Sequence, residues 1–195
     1  MNAAIRNATY EDLLQVPDNL IAEIIDGELI TSPHPASAHA RATWVIAQDI
    51  GPFDRVPGGG GPGGWWILFE PELHLGPDIL VPDLAGWRRE RMPVLRDVPY
   101  FELAPDWVCE VLSTSTARID RVRKKPIYAR ERVGHLWLVD PIVRTLEVYR
   151  LDGGQWVDVG AYGGAELVHA EPFAAVEMDM NQWWLVDEAE EGEKR

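Results

Sequence analysis

Asp83 and Glu110 are acidic residues that follow or interrupt strongly apolar, strand-like segments. Asp83 comes directly after Val81-Pro82, and Glu110 stands inside the run Trp107-Val108-Cys109-Glu110-Val111-Leu112. An ionised carboxylate is costly to bury unless it is paired, neutralised or bound to a metal ion. Because Lys124 follows in a helix-like segment, these residue types suggest a metal-assisted hydrolytic site.

Glu110 is the more informative of the two acids. Val108 and Leu112 lie two residues to either side, so in a strand all three side chains point to the same face. The continuous apolar run is typical of a central strand that is buried on both faces. A structural ion pair with a nearby arginine is the alternative, and an isolated Pro-Asp such as Asp83 is more often part of a turn. The apolar surroundings of Glu110 favour a functional role.

Lys124 lies four residues after Asp120 and four before Tyr128, so the three side chains would share one face of a continuous helix. Taken alone, this pattern fits a solvated basic helix with an Asp–Lys ion pair. Pro126 removes a backbone hydrogen bond from the helix. We therefore expect a kink or a restart there, and Lys125 remains the alternative to Lys124.

Taken together, these groups have a coherent chemistry. Two carboxylates on adjacent strands can hold Mg²⁺, which prefers oxygen ligands and retains several waters. The ion polarises a phosphoryl oxygen and lowers the pKa of a bound water. A neighbouring lysine can orient that water or stabilise the developing negative charge.

The order of the segments predicts an α/β fold. A capped helix starts at Thr9, a hairpin turns at Asp26-Gly27, and a helix covers 37–50. Strands follow over 65–75, 79–87 and 107–112, then a helix over 117–132, a strand over 135–139 and a hairpin at 152–154. We expect a mixed β-sheet flanked by helices, with one hairpin near each end.

The sequence resembles the PD-(D/E)xK restriction-endonuclease-like superfamily and, more closely, its Uma-type family of putative endonucleases. The resemblance covers about residues 10–150 and rests on an ordered series of short segments. They are Glu23-Ile24-Ile25-Asp26-Gly27-Glu28-Leu29, His39, Val81-Pro82-Asp83-Leu84-Ala85, Glu110-Val111-Leu112-Ser113, Asp120-Arg121 with Lys124 and Tyr128, and Trp137-Leu138-Val139-Asp140-Pro141.

The resemblance implies a restriction-endonuclease-like fold and a Mg²⁺-dependent nuclease, with Mn²⁺ as a substitute ion. Asp83 and Glu110 would be metal ligands, the Val111 carbonyl a third ligand, and Lys124 the catalytic lysine. Supporting positions of the same pocket would be Glu23, His39, Asp120 and Tyr128. One departure is that Leu112 stands where the lysine of (D/E)xK belongs, so the lysine would come from the following helix.

Composition limits the classes of function. The chain has 195 residues, 46% of them apolar, and a formal net charge of −14, which argues against non-specific adhesion to nucleic acid or anionic membranes. We expect one domain over 1–186 and a solvated acidic tail over 187–195. A single cysteine, Cys109, and the lack of a long apolar segment favour a cytoplasmic protein with no membrane partner.

The basic residues are nevertheless concentrated. Seven of the 18 lie between Arg118 and Arg132. If the protein cleaves DNA, its phosphate contacts would be Arg118, Arg121 and Arg123, together with the cluster Arg88-Arg89-Arg91. A homodimer would allow both strands to be cut.

Two other functions compete with the nuclease. A non-catalytic member of the same fold could bind nucleic acid or another protein, which the acidic charge balance favours. An acidic protein that oligomerises through its tryptophans would leave Glu110 unexplained.

Overall fold

A six-stranded mixed sheet and a four-stranded antiparallel sheet form the body of the protein in a computed structural model, which describes residues 6–55 and 61–185. The strands are β1 (Leu20–Ile25), β2 (Glu28–Pro33), β3 (Trp65–Phe69), β4 (Leu73–Leu75), β5 (Asp78–Leu80), β6 (Leu84–Arg88), β7 (Trp107–Val111), β8 (His135–Asp140), β9 (Thr145–Asp152), β10 (Gln155–Gly163), β11 (Leu167–Val168) and β12 (Met178–Asp179). The helices are α1 (Tyr10–Leu13), α2 (Ser37–Asp54), α3 (Ala117–Ile119) and α4 (Lys125–Arg130), with a π-helical turn over Asp120–Lys124 and a 3₁₀ turn over Met180–Gln182.

The large sheet has the order β10-β9-β8-β7-β6-β3, and its one parallel pair is β7–β8. The small sheet has the order β2-β1-β5-β4, and β11 and β12 pair separately. The predicted mixed sheet with flanking helices is therefore confirmed. The predicted N-terminal hairpin is also present, but it belongs to a second sheet that the sequence did not indicate.

Two apolar cores hold these layers together. One core packs Ile25 and Leu80 of the small sheet against Val108 and Leu136 of the large sheet and Ile127 of α4. The other packs α2 and the segment that follows β10 against the opposite face of the large sheet. Strands β7 and β8 contribute to both cores, which explains why their sequences are apolar at almost every position.

Local sequence signals account for several elements. The Thr9 hydroxyl and the Asp12 carboxylate form the reciprocal capping box at the start of α1. Asp26 and Gly27 both have positive φ, as the tight turn between β1 and β2 requires. The helix predicted over 37–50 is present and continues to Asp54.

Two long predicted strands are each divided. The segment 65–75 forms β3 and β4, because Glu70 takes a left-handed conformation with φ 43° and turns the chain. The segment 79–87 forms β5 in the small sheet and β6 in the large sheet. Asp83 lies at this crossing between sheets, and its carbonyl accepts a hydrogen bond from the Glu70 amide at 3.1 Å.

The predicted helix over 117–132 is a composite of α3, the π-helical turn and α4, and we call residues 117–130 the composite helix. The Lys125 amide donates to the Asp120 carbonyl five residues back. Pro126, which has no amide hydrogen, lies in the first turn of α4, so the predicted restart is confirmed. Such wide turns are frequent at functional sites.

Two expectations are not decided by this architecture. The acidic tail over 187–195 lies outside the described residues, and the single-domain boundary at 186 stays a prediction. In the part of the chain that is described, no helix has the length and apolar character needed to cross a membrane.

Candidate active site

A cleft of about 210 Å³ lies where the two sheets, the start of α2 and the composite helix meet. The seven predicted positions that line it are Glu23, His39, Asp83, Glu110, Val111, Asp120 and Lys124. They come from five separate parts of the chain: β1, α2, the segment before β6, β7 and the composite helix. The fold therefore brings together residues that the sequence connects only through order and type.

Lys124 is the centre of this arrangement. Its Nζ lies 2.8 Å from Glu23 Oε1, 3.3 Å from Glu110 Oε1 and 3.4 Å from Asp120 Oδ1. All four side chains are buried, with exposures of 2–5%. Burial alone would lower the pKa of Lys124, but the charges of Glu110, Glu23 and Asp120 raise that pKa well above its usual value. The ammonium group is therefore held in its charged form.

Glu110 receives a second donor from the composite helix. The Tyr128 hydroxyl donates to Glu110 Oε1 at 2.5 Å, and both residues are buried. Desolvation raises the pKa of Glu110 well above its usual value, although the charge of Lys124 acts in the opposite direction. This carboxyl group therefore needs a cation or a hydrogen-bond donor beside it to stay ionised.

Asp83 is fixed by donors on both oxygens. Its Oδ2 accepts a hydrogen bond from the Val111 amide at 2.7 Å, and its Oδ1 lies 3.1 Å from His39 Nε2. Burial lowers the pKa of His39, but the hydrogen bond and charge of Asp83 outweigh it, so that the pKa of His39 is raised. Asp83 thus lies directly against the end of β7. It is bonded there to Val111, the residue that follows Glu110.

Glu23 and Asp120 complete the surroundings of Lys124. Glu23 Oε1 also accepts a hydrogen bond from the Val81 amide at 2.8 Å, which links β1 to the segment before Asp83. Burial raises the pKa of Asp120, while Lys124 and then a hydrogen bond from Thr116 lower it. Each acid is therefore held by a contact in addition to the lysine.

The second lysine lies elsewhere. Lys125 Nζ is 3.1 Å from the centre of the Tyr149 ring, outside the cleft. Of the two lysines that the sequence left as alternatives, Lys124 alone lines the cleft.

A family model described as Uma2, putative restriction endonuclease, matches residues 8–181. The chain belongs to the Uma2 family. A solved structure of a putative nuclease from Anabaena variabilis is similar to it, with 22% sequence identity and a TM-score of 0.71. That similarity covers 90% of this chain and 97% of the solved one. A search of curated proteins found no match.

Two of the three arginines predicted to contact phosphates are engaged within this Uma2 protein. Arg121 forms two hydrogen bonds with Glu147, at 2.9 and 2.7 Å. Arg123 donates to Glu28 at 2.8 Å and to the Ile25 carbonyl at 2.7 Å, which ties the composite helix to the first hairpin. Arg118 is exposed. Neither Arg121 nor Arg123 is thus presented as an unpaired cation.

The arginine cluster after β6 is also engaged. Arg89 donates to the Asp54 carbonyl at 2.7 Å and covers the Trp66 ring at 3.4 Å, and Arg91 pairs with Asp106 at 2.8 Å. These contacts anchor the loop that follows β6.

Sequence reasoning missed some residues in and beside the Uma2 cleft. Thr43 Oγ1 lies 3.4 Å from His39 Nδ1, and the spacing of four residues on α2 was a signal for this contact. Ser113, Thr114, Ser115 and Thr116 form the rim of the cleft. Within this segment, Ser113 accepts a hydrogen bond from the Thr116 amide at 3.1 Å.

The donor atoms available to a cation are oxygens. Among the described residues, no cluster of three or more His, Cys, Asp and Glu side chains is arranged to enclose a metal ion. What the cleft offers is the pair Asp83 and Glu110 with the adjoining Val111 backbone. A small set of oxygen ligands fits Mg²⁺, which keeps several waters, better than it fits Zn²⁺.

Proposed function

We propose that this Uma2-family protein is a Mg²⁺-dependent endonuclease that hydrolyses DNA phosphodiester bonds in the cleft. The observation that carries the proposal is the convergence of Asp83, Glu110 and Lys124. Asp83 directly precedes β6, Glu110 lies in the neighbouring strand β7, and the lysine comes from the composite helix and lies 3.3 Å from Glu110. A purely structural ion pair would not require three carboxylates around one lysine, with Asp83 beside them, all lining the same cleft.

Asp83, Glu110 and the Val111 carbonyl are the groups that would hold Mg²⁺ or Mn²⁺. When bound, the ion supplies Lewis-acid chemistry, since it polarises a phosphoryl oxygen and lowers the pKa of a water. The Val111 amide and His39 keep Asp83 turned toward the cleft. Tyr128 does the same for Glu110.

Lys124 would act on the developing charge of the phosphate. Its ammonium group has three donors, and hydrogen bonds from a cation to an oxyanion are among the strongest in proteins. Glu23 and Asp120 position this group, and their charges keep it protonated. A donor that is already fixed in position needs little reorganisation as the transition state forms.

A non-catalytic binding module is the second candidate. The specific observation in its favour is that Lys124 already contacts three carboxylates, so that phosphate must compete with them. The net charge of −14 points in the same direction. This candidate keeps the fold and the nucleic-acid or protein partner but has no turnover.

A homodimer is part of the proposal, because one cleft per subunit would allow both strands of a duplex to be cut. Its test is the mass in solution by light scattering. A monomer at all concentrations, with or without duplex DNA, would contradict it.

Metal binding tests the proposed site directly. Calorimetric titration with Mn²⁺ or Mg²⁺, alone and with a phosphorothioate DNA oligonucleotide, would compare the wild type with Asp83→Asn and Glu110→Gln. Asp49→Asn is the matched control, because Asp49 is outside the cleft and bonds to Trp183 Nε1. Binding that is lost in both cleft variants and kept in the control supports the proposal. A folded wild type that binds no metal under either condition favours the binding module.

A further inference from the structure

We propose that a groove between the composite helix and the β9–β10 hairpin binds the nucleic-acid substrate. It would contact the phosphodiester backbone of the part of the strand that extends beyond the cleft. This inference rests on the proposed function for the identity of the strand. The groove has a volume of about 660 Å³ and is separate from the cleft. Four cations line it, Arg121, Lys125, Arg130 and Arg132.

The charge of the groove is opposite to that of the protein. The whole chain has 32 acidic and 18 basic residues. Of the described residues that line the groove, none is acidic. A surface that concentrates cations in a chain of net charge −14 is complementary to an anion.

Two of the cations have no carboxylate partner among the described residues. Arg121 pairs with Glu147, and Arg130 pairs with Asp78 at 2.7 Å. Lys125 contacts the face of Tyr149 and is partly buried. Arg132 is exposed, with its guanidinium near the turn at Gly154, and it forms no ion pair with any residue that the structure describes.

Lys125 gains most from a bound anion. Burial lowers its pKa, and neither Glu147 nor Asp158 forms an ion pair with it. A partly desolvated cation without a carboxylate in contact is stabilised by an anion that enters the groove. Trp156 closes this side of the groove, because its Nε1 donates to the Lys125 carbonyl at 2.8 Å.

The groove and the cleft use the same helix. Lys124 enters the cleft, and Lys125, one residue later, lies about 100° further around the helix axis and enters the groove. Arg118 lies three residues before Arg121, so these two are neighbours on a helix surface. Arg118 also follows the cleft rim at Ser113–Thr116 in the chain. A strand whose scissile phosphate occupies the cleft would find cations along the helix toward the groove.

The occupant is inferred to be a phosphodiester backbone and not a small anion. Guanidinium and ammonium groups contact phosphate oxygens without reading bases. Several cations spread along an open groove suit a repeating charge better than a single one. The groove would therefore position the substrate and contribute affinity that depends strongly on salt.

Fluorescence anisotropy with a labelled DNA oligonucleotide, single-stranded and duplex, in Ca²⁺ tests this inference. The variant Lys125→Glu/Arg132→Glu reverses two cations of the groove. Arg55→Glu/Arg96→Glu is the control with the same charge change, at two exposed arginines outside the groove. Arg132→Glu alone is a third variant, because this exposed side chain has no stabilising ion pair to lose.

We expect the groove variant to weaken binding about tenfold or more, and to reduce the slope of log K against log salt by about 1.8 for duplex DNA. The control should change affinity less than about threefold. Equal losses in both double variants would mean that net charge alone is responsible and would overturn the inference. So would a wild type that binds no oligonucleotide, or a groove variant that binds normally.

A small substrate separates this inference from the proposed function. Hydrolysis of bis(p-nitrophenyl) phosphate needs the cleft alone, so the groove variant should hydrolyse it as the wild type does, while Glu110→Gln should not. If the wild type hydrolyses nothing but binds oligonucleotides through the groove, the nuclease proposal fails and the groove remains. If the groove variant loses hydrolysis of the small diester, the groove is not a separate site.

Discussion

Lys124 Nζ lies 2.8 Å from Glu23 Oε1, and this contact joins the composite helix to the small sheet. The same ammonium group reaches Glu110 on the large sheet at 3.3 Å. One lysine therefore connects the three structural layers around the cleft. Its position depends on both sheets and the helix being in place, so that site geometry and fold stability are coupled.

Replacement of Lys124 by methionine should strongly destabilise the protein. The substitution keeps most of the volume but leaves Glu23, Glu110 and Asp120 without their cation. Breaking a buried ion pair by removing one partner costs about 3–5 kcal/mol. Urea denaturation followed by circular dichroism would measure the loss.

Lys125→Met is the matched control for this experiment. Lys125 loses only its contact with the Tyr149 ring, which is worth about 1 kcal/mol. Adding Glu110→Gln to Lys124→Met removes one of the unpaired acids and should restore part of the stability. Similar losses from the two single lysine substitutions would show that the buried network has no special role.

Tyr128→Phe should lower both stability and turnover. The hydroxyl donates to Glu110 Oε1 at 2.5 Å in a fully buried setting, and a hydrogen bond to a charged group contributes about 1.5–3 kcal/mol. Without it, Glu110 is less firmly oriented toward the cleft. Denaturation and the rate of bis(p-nitrophenyl) phosphate hydrolysis would measure the two effects.

Tyr149→Phe provides the comparison, because Tyr149 donates to Glu147 at the same distance of 2.5 Å but outside the cleft. It should cost less stability, since it is partly exposed, and should leave turnover unchanged. Equal turnover in the two variants would argue against a positioning role for Tyr128.

The ion pair between Arg121 and Glu147 should make stability depend on pH in the acid range. Hydrogen bonds from Arg121 lower the pKa of Glu147 in the folded protein. A group with a lowered folded pKa stabilises the protein above its unfolded pKa, and this contribution is lost as pH falls through the folded pKa. Because the pair is partly exposed, the contribution is about 1 kcal/mol at most.

Glu147→Gln should therefore be less stable than the wild type at pH 6, and the difference should begin to shrink below about pH 4 and disappear as pH falls through the lowered folded pKa of Glu147. Thermal denaturation from pH 6 to pH 3 would show it. Glu102→Gln, at an exposed side chain that pairs with no described residue, should follow the wild type throughout. A stability difference between Glu147→Gln and the wild type that grows as pH falls would contradict this prediction.

Short sequence patterns correctly predicted those structural elements whose conformation is determined by neighbouring residues. Thr9 and Asp12 have capping-box spacing, Asp26-Gly27 has the residues of a tight hairpin turn, and the residues on both sides of Glu110 are apolar, as in a strand that is buried on both faces. Pro126 predicted the restart in the composite helix. In each case a few adjacent residues contain the whole signal.

The remaining features depend on contacts between distant parts of the chain. The left-handed Glu70 divides one strand, and the crossing at Asp83 places β5 and β6 in different sheets, which no periodic pattern encodes. That Glu23 shares a pocket with Lys124 was predicted from the resemblance to the Uma-type family and not from the spacing of the residues. The partners of Arg121 and Arg123 were missed because they are distant in the chain. Glu147 lies in β9 of the large sheet, and Glu28 lies in β2 of the small sheet.

Metal-dependent DNA cleavage tests the central claim most directly. Supercoiled plasmid would be incubated with wild type, Glu110→Gln, Lys124→Ala and Asp49→Asn, all purified in parallel, in Mn²⁺, in Mg²⁺ and in EDTA. We predict nicked or linear product for the wild type and Asp49→Asn with metal, and none for the two cleft variants or in EDTA. Equal cleavage by Glu110→Gln, or no cleavage by a wild type that binds both metal and DNA, would contradict the assignment of this cleft as a nuclease site.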